Sequence, residues 1–362
     1  LHVLIVAALV TFGATASRAD TWPSEVAGTD LRVAVMLPST PAPATGFATA
    51  VVLRNLEGAA IDPNEQRAIS DALIRDGVAV VEIDYAGSNK ATKTNLSSDV
   101  LKLRHDLTAK DRTFLPQLKV DPARIFVLPA GYSLRQNVTL ANDGDRVIGA
   151  DVMFPVRPSK PSPLLVEVSC DNAARMGSGS LLFCRDTLLE TAMLHGFAVA
   201  MMDHPVKPPY KGIDDMPANR QTMLTAIAAL REMGKEIGLS GKIGVMGFSR
   251  GATMAAAVAG DRDVVQAALV HGNRFDYTQL AADDPMLKRF EKAWGPLESN
   301  REKWMQQGAM HYLGERSAPM FLNTSDTESP EYRDGLAKLS QRLKQLGVEH
   351  VYRVDTDGRG HR

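Results

Sequence analysis

Lys242-Ile243-Gly244-Val245-Met246-Gly247-Phe248-Ser249-Arg250-Gly251-Ala252-Thr253-Met254-Ala255-Ala256-Ala257-Val258-Ala259 is the stretch that decides the fold of this 362-residue chain. Its first five residues are an apolar run that reads as a buried strand, and its last eight are small residues that read as a closely packed helix. Between them stands Gly-x-Ser-x-Gly. The two glycines leave room for a cramped strand-to-helix turn that lifts the Ser249 hydroxyl above the sheet. The pattern alone arises often by chance, so the strand before it and the helix after it carry the argument.

Upstream, 219–236 is a crossover helix leading into this strand, with Met223, Ile227, Leu230 and Met233 at helical spacing. Downstream come a strand at 264–270, a stretch rich in Asp, Lys, Met and Trp from Asp283 to Tyr312, a strand at 320–323, a helix at 331–346 and a last strand at 350–354. Strands alternating with amphipathic helices define an α/β chain with a mostly parallel sheet covered on both faces. Trp294 and Trp304 in the insertion have two readings, lining a pocket or anchoring the insertion to the body.

The chain also repeats itself. Val35-Met36-Leu37-Pro38, a helical pattern from Ala68 to Ile74, and Gly77 to Asp84 are answered by Val152-Met153-Phe154-Pro155, Thr187 to Leu194, and Gly196 to Asp203. Arg124-Ile125-Phe126-Val127 answers Lys242-Ile243-Gly244-Val245 at nearly the same distance from its Asp. So long a period means a doubled half-domain, not a solenoid. The copies diverge at the chemistry. After Val127 the first reads Leu128-Pro129-Ala130-Gly131-Tyr132-Ser133-Leu134-Arg135, with no second elbow glycine, and runs on through 136–139 as a poor helix, so Ser133 is expected to be inert. Asp143-Gly144-Asp145 reads as a turn and as the boundary, giving a degenerate α/β half-repeat at 20–144 and a catalytic domain at 145–362.

The apolar run Leu1 to Ala16, followed by Ser17-Arg18-Ala19, reads as a signal peptide (1–19) cut before Asp20, which predicts a secreted or periplasmic protein with no membrane span after cleavage. The formal net charge is −1 with dispersed basic residues, which excludes the footprint of a nucleic-acid binder. Of the two cysteines, Cys170 and Cys184, a bridge across the short loop and a pair of buried thiols are both open, and no Cys/His cluster has zinc spacing.

A serine hydroxyl needs a base to take its proton and a carboxylate to orient that base. In a sheet of this kind the order is Ser, acid, His. His361, in Asp357-Gly358-Arg359-Gly360-His361, follows the final strand in a glycine-rich loop where the base belongs. The acid follows Met320-Phe321-Leu322-Asn323, and two candidates stand there: counting back from Pro330 favours Asp326, counting forward from Pro319 favours Glu328, with Asp326 narrowly ahead. An oxyanion needs two backbone donors. One is the N–H of Arg250; the other falls to Cys170 or Asp171, after the strand at 165–168, although no His-Gly-Gly-Gly stands there. His204 and His271 also follow strands, where structural roles are expected.

On Gly247-Phe248-Ser249-Arg250-Gly251, the Pro319-to-Pro330 segment and Gly358-Arg359-Gly360-His361, residues 145–362 resemble the α/β-hydrolase superfamily, in particular secreted bacterial esterases of the acetyl-esterase and dienelactone-hydrolase-like kind. The resemblance implies an α/β-hydrolase fold preceded by a smaller α/β half-domain, with Ser249 as nucleophile, His361 as base and Asp326 or Glu328 as acid. Three features depart from it: the missing glycine oxyanion loop, the prepended half-repeat, and an end one residue after His361 where such proteins continue into a helix, which suggests a truncated sequence.

The expectation is a secreted serine esterase that works through an acyl-enzyme and needs neither metal nor organic cofactor. Its substrate is a small-molecule or polysaccharide ester, with acetyl or feruloyl groups on plant polysaccharide implied by the resemblance alone. Two other readings stand: a serine peptidase of the prolyl-oligopeptidase type, against which the lack of propeller-like repeats counts, and a non-enzymatic binding protein on a decayed hydrolase scaffold.

Overall fold

The computed structural model describes residues 17–56, 61–86, 88, 96–142, 144, 147–169, 188–205, 215–356 and 358. The chain divides into two compact units, Leu1–Gly131 and Tyr132–Arg362.

The first unit runs β1 (Ser17–Ser24), β2 (Thr29–Met36), β3 (Phe47–Arg54), α1 (Pro63–Arg75), β4 (Ala79–Asp84), α2 (Ser97–Thr108) and β5 (Val120–Pro129). Its five-stranded sheet has the order β1-β2-β4-β3-β5. The pairs β1/β2 and β2/β4 are antiparallel, while β4/β3 and β3/β5 are parallel. The central strands are buried on both faces: Val51 and Val52, which point to opposite sides, are fully buried, as are Val81 and Ile83. Asp62 caps α1, accepting from the amides of Asn64 and Glu65, and Pro63 opens the helix where no N–H is needed.

The second unit continues with β6 (Tyr132–Asn142), β7 (Val147–Pro155), β8 (Ser162–Val168), α3 (Leu188–Leu194), β9 (Ala198–Met202), α4 (Met216–Glu236), β10 (Leu239–Phe248) and α5 (Arg250–Val258). It closes with β11 (Ala267–His271), α6 (Leu287–Trp294), α7 (Leu297–Gln307), a 3₁₀ turn (Ala309–Tyr312), β12 (Met320–Ser325), α8 (Pro330–Gln345) and β13 (His350–Asp355). The eight-stranded sheet has the order β13-β12-β11-β10-β8-β9-β7-β6. Its β6-β7-β9-β8-β10 portion reproduces the order and strand directions of the first unit, pair for pair. The repeat is therefore one of topology: the first copy stops after its fifth strand, and the second runs on through three more.

Three local differences from the sequence reading have simple causes. The strand at 264–270 begins only at Ala267, because the amides of Val264 and Val265 turn back onto the carbonyl of Asp261. Residues 136–139 extend β6 instead of forming a poor helix, since β6 finds an antiparallel partner in β7. The units divide between Gly131 and Tyr132, whereas Gly144, in the turn read as the boundary, lies in the β6–β7 hairpin.

The large core packs α4, α5 and α8 on the sheet, with Met223, Ile227, Leu230, Leu336, Leu339 and Leu343 facing Val166, Val245 and Leu322. The insertion has its own small core, in which Trp294 stacks on Phe290 at 4.7 Å between ring centroids and meets Trp304 edge-on at 5.0 Å. Trp304, with its indole N–H on the Gly295 carbonyl at 2.9 Å, is fully buried. Both tryptophans thus hold the insertion's own core together. No helix among the described residues is long and apolar enough to cross a membrane.

Candidate active site

Ser249 occupies the junction of β10 and α5 with φ 53 and ψ −121. Non-glycine residues adopt such a backbone at a cost on the order of 1–3 kcal/mol, and it persists only where the surroundings enforce it. Here they do. A Cβ on Gly247 would lie 2.2 Å from the carbonyl oxygen of Gly251, and one on Gly251 would lie 2.1 Å from that of Val168. The first glycine lets the chain fold back on itself, and the second lets α5 settle on β8. The Ser249 amide is held by the His271 carbonyl at 3.0 Å.

A residue that the sequence did not single out completes this support. Asn273 donates from Nδ2 to the Ser249 carbonyl at 2.8 Å and to Thr253 Oγ1 at 2.7 Å. His271 stacks on Phe248 with centroids 4.9 Å apart, so it braces the turn from the neighbouring strand. The only signal for Asn273 was its place in the loop leaving β11.

Strand register brings the carboxyl ends of five strands level with one another. Gly247 is level with Val168 of β8, and Phe248 with His271 of β11. His271 is level with Asn323 of β12, which is level with Arg353 of β13. All five strands are parallel, so their carboxyl ends lie on the same side of the sheet as Ser249, the side at which ligands meet open α/β sheets. Arg250 is the first residue of α5, which places its main-chain N–H in the helix's first turn. Ser169, just after β8, commits its amide to the Met202 carbonyl at 3.0 Å and its hydroxyl to the His204 amide. Cys170, Asp171 and Cys184 lie outside the described residues, and so does His361.

The two acid candidates are described, and their surroundings differ. Asp326 is exposed at the end of β12, with its amide on the Asp355 carbonyl at 2.8 Å. Glu328 is only 3% exposed; its Oε1 accepts the Ser329 amide at 2.7 Å. His204 is buried beyond β9. Among the described residues, no three His, Cys, Asp or Glu side chains gather into a group able to hold a metal.

No protein-family model matches the chain, and no curated protein matches it in sequence. Solved structures do resemble it in fold. Acylaminoacyl peptidase from Pyrococcus horikoshii superposes with a TM-score of 0.51 at 15% identity, over 64% of this chain and 38% of that one. A truncated carbohydrate esterase from gut microbiota gives 0.49 at 19% identity, over 64% of this chain and 90% of that one. A thermostable esterase from Pseudomonas putida gives 0.48 at 17%, over 83% and 90%. The chain spans little more than a third of the peptidase's length. At such identities the likeness concerns the fold, which is that of the α/β-hydrolases.

Proposed function

We propose that this protein is an exported serine esterase that cleaves carboxylic esters through an acyl-enzyme. The observation that carries the reading is Ser249 at φ 53, ψ −121, held above the sheet by close approaches that admit only glycine at 247 and 251. A structural turn has no need of that strain.

Ser249 Oγ attacks the ester carbonyl while His361 takes its proton, and the Arg250 amide with one from Cys170 or Asp171 receives the oxyanion. Collapse breaks the bond to the alcohol, which leaves with the proton from His361. Water, deprotonated by the same imidazole, then attacks the acyl-enzyme, releases the acid and restores Ser249. Burial favours Glu328 over Asp326 as the carboxylate that orients His361. Small-molecule and polysaccharide esters, acetyl or feruloyl, are the proposed substrates. Likeness to a peptidase favours a second reading, cleavage of peptide bonds by the same groups.

A fluorophosphonate followed by mass spectrometry tests the nucleophile: the label is expected on the peptide carrying Ser249. Ser249→Ala is expected to remove several orders of magnitude of nitrophenyl acetate turnover while the fold is retained. Label on another residue, or activity retained in the folded variant, overturns the reading. Faster turnover of an aminoacyl nitroanilide than of the ester selects the peptidase.

A further inference from the structure

We propose a second binding site in the larger unit, a cationic groove between α8 and the insertion that takes a carboxylate-bearing oligosaccharide. The groove encloses about 470 Å³, within the range of ligand pockets. Arg301 of α7, His311 of the 3₁₀ turn, and Lys338 and Arg342 of α8 line it. None of these four makes an ion pair or a side-chain hydrogen bond among the described residues. The one carboxylate in the lining, Asp276, is occupied locally: it accepts from the amide and hydroxyl of Thr278 at 2.8 and 2.7 Å and from Gln279 at 3.0 Å. In a chain of net charge −1, Arg301, Lys338 and Arg342 outnumber the single carboxylate Asp276 in this concave place, which leaves it net positive.

The class of ligand follows from the lining. Separated cations on two walls suit several carboxylates along a chain better than one small anion. Gln341 and Gln345, between and beyond the cations on α8, offer amides that both donate and accept, as hydroxyls require. The groove adjoins a smaller cavity of about 150 Å³; Phe275, Asp276, Gln279, Met310 and Lys338 border both. That cavity is acidic, lined by Asp276, Asp284, Glu331 and Asp334 against Arg274 and Lys338, with Arg274 paired to Asp284 at 2.8 Å. Carboxylates are therefore excluded from the cavity and accepted in the groove. The loop beside the cavity is the one that holds Ser249: a Cβ on Gly335 of α8 would lie 2.2 Å from the Asn273 carbonyl. An acidic polysaccharide lying in the groove would then approach the site from its α8 side, a step that rests on the polysaccharide-ester reading.

Calorimetric titration of the chain with trigalacturonate, maltotriose and tetraglutamate tests this without turnover, so an enzyme inactive on esters leaves the result standing. Trigalacturonate is expected to bind and maltotriose not to. Both Lys338→Gln/Arg342→Gln and Arg301→Gln, on opposite walls, are expected to weaken binding by about tenfold. Added salt is expected to weaken it further as screening shortens to about 3 Å at 1 M. Absence of trigalacturonate binding, or equal affinity in both variants, overturns the proposal. Tetraglutamate bound as tightly as trigalacturonate, with the same sensitivity to the variants, overturns the assignment to a saccharide.

Discussion

Asn273 holds the carbonyl oxygen of Ser249 at 2.8 Å, and the same Nδ2 reaches Thr253 Oγ1 at 2.7 Å. One side chain thus ties the loop after β11 to both the strained residue and the first turn of α5. Its role is positioning.

Removing it should therefore act on turnover more than on binding. Asn273→Ala is expected to lower kcat for nitrophenyl acetate by about 10- to 100-fold with a smaller change in KM, because a displacement of roughly 1 Å at a reacting group costs that much. Asn273→Asp keeps the size but loses the donor, so it should behave like Ala. A lowered Tm with kcat unchanged in both variants would make Asn273 merely structural.

The glycines of the turn should be far less forgiving than their neighbour in the strand. Gly247→Ala and Gly251→Ala each drive a methyl against backbone, at 2.2 and 2.1 Å, where nothing flexible gives way. Losses on the order of 3 kcal/mol or more are expected, as for other strained or overpacked sites. At Gly244 the same methyl meets Leu165 Cδ1 at 3.6 Å, an ordinary contact. Gly244→Ala should thus stay within about 1 kcal/mol, because it also restricts the unfolded chain. Urea midpoints of the three variants check the contrast; similar values for all would mean that the turn relaxes.

Much of this was legible in the sequence because it is written locally. The elbow is a contiguous five-residue pattern, and the repeat is a recurrence of apolar runs at matched spacing. What the sequence could not give was pairing. Residues 136–139 lack helical patterning, but their strand conformation depends on β7, and the start of β11 depends on a turn at Asp261. Asn273 was missed for the same reason, since its value lies in a contact across 24 residues. The identical order of β1-β2-β4-β3-β5 and β6-β7-β9-β8-β10 was likewise beyond periodicity, which reports elements but not neighbours.

The smaller unit offers a test with its own reporter. Trp22, one of three tryptophans, is fully buried there and donates its indole N–H to Asp106 at 3.0 Å, while Trp294 and Trp304 belong to the larger unit. Partial burial pushes the Asp106 carboxyl up, but hydrogen bonds from Lys102, Trp22 and His105 outweigh it and hold the group below its ordinary value. A carboxyl lowered in the folded state stabilises above its unfolded value, about 3.9, and loses that contribution as pH falls through the folded one. Asp106→Asn is expected to cost about 1 kcal/mol at neutral pH. The difference from wild type should shrink below about pH 4, where the unfolded carboxyl is protonated. Melts followed by tryptophan fluorescence check this; a penalty independent of pH would assign the loss to packing.

The two carboxylates after β12 can be separated by turnover. A triad acid steadies an imidazolium, and it does so best where water is excluded and the local dielectric is low. Glu328 meets that condition at 3% exposure, with Oε1 fixed by the Ser329 amide at 2.7 Å, whereas Asp326 stands in solvent at the strand's end. Spacing from Pro330 favours Asp326, so burial and spacing point to different residues. Glu328→Gln keeps the shape and removes the charge, and it is expected to lower kcat by about 10³- to 10⁴-fold, as loss of a triad acid does elsewhere. Asp326→Asn, exposed and screened, should cost less than about tenfold. Steady-state kinetics on nitrophenyl acetate, with circular dichroism to establish folding, decide between them. The reverse pattern would hand the role to Asp326. Mild effects in both folded variants would mean that the base is oriented from another strand, and that the segment after β12 carries no triad member.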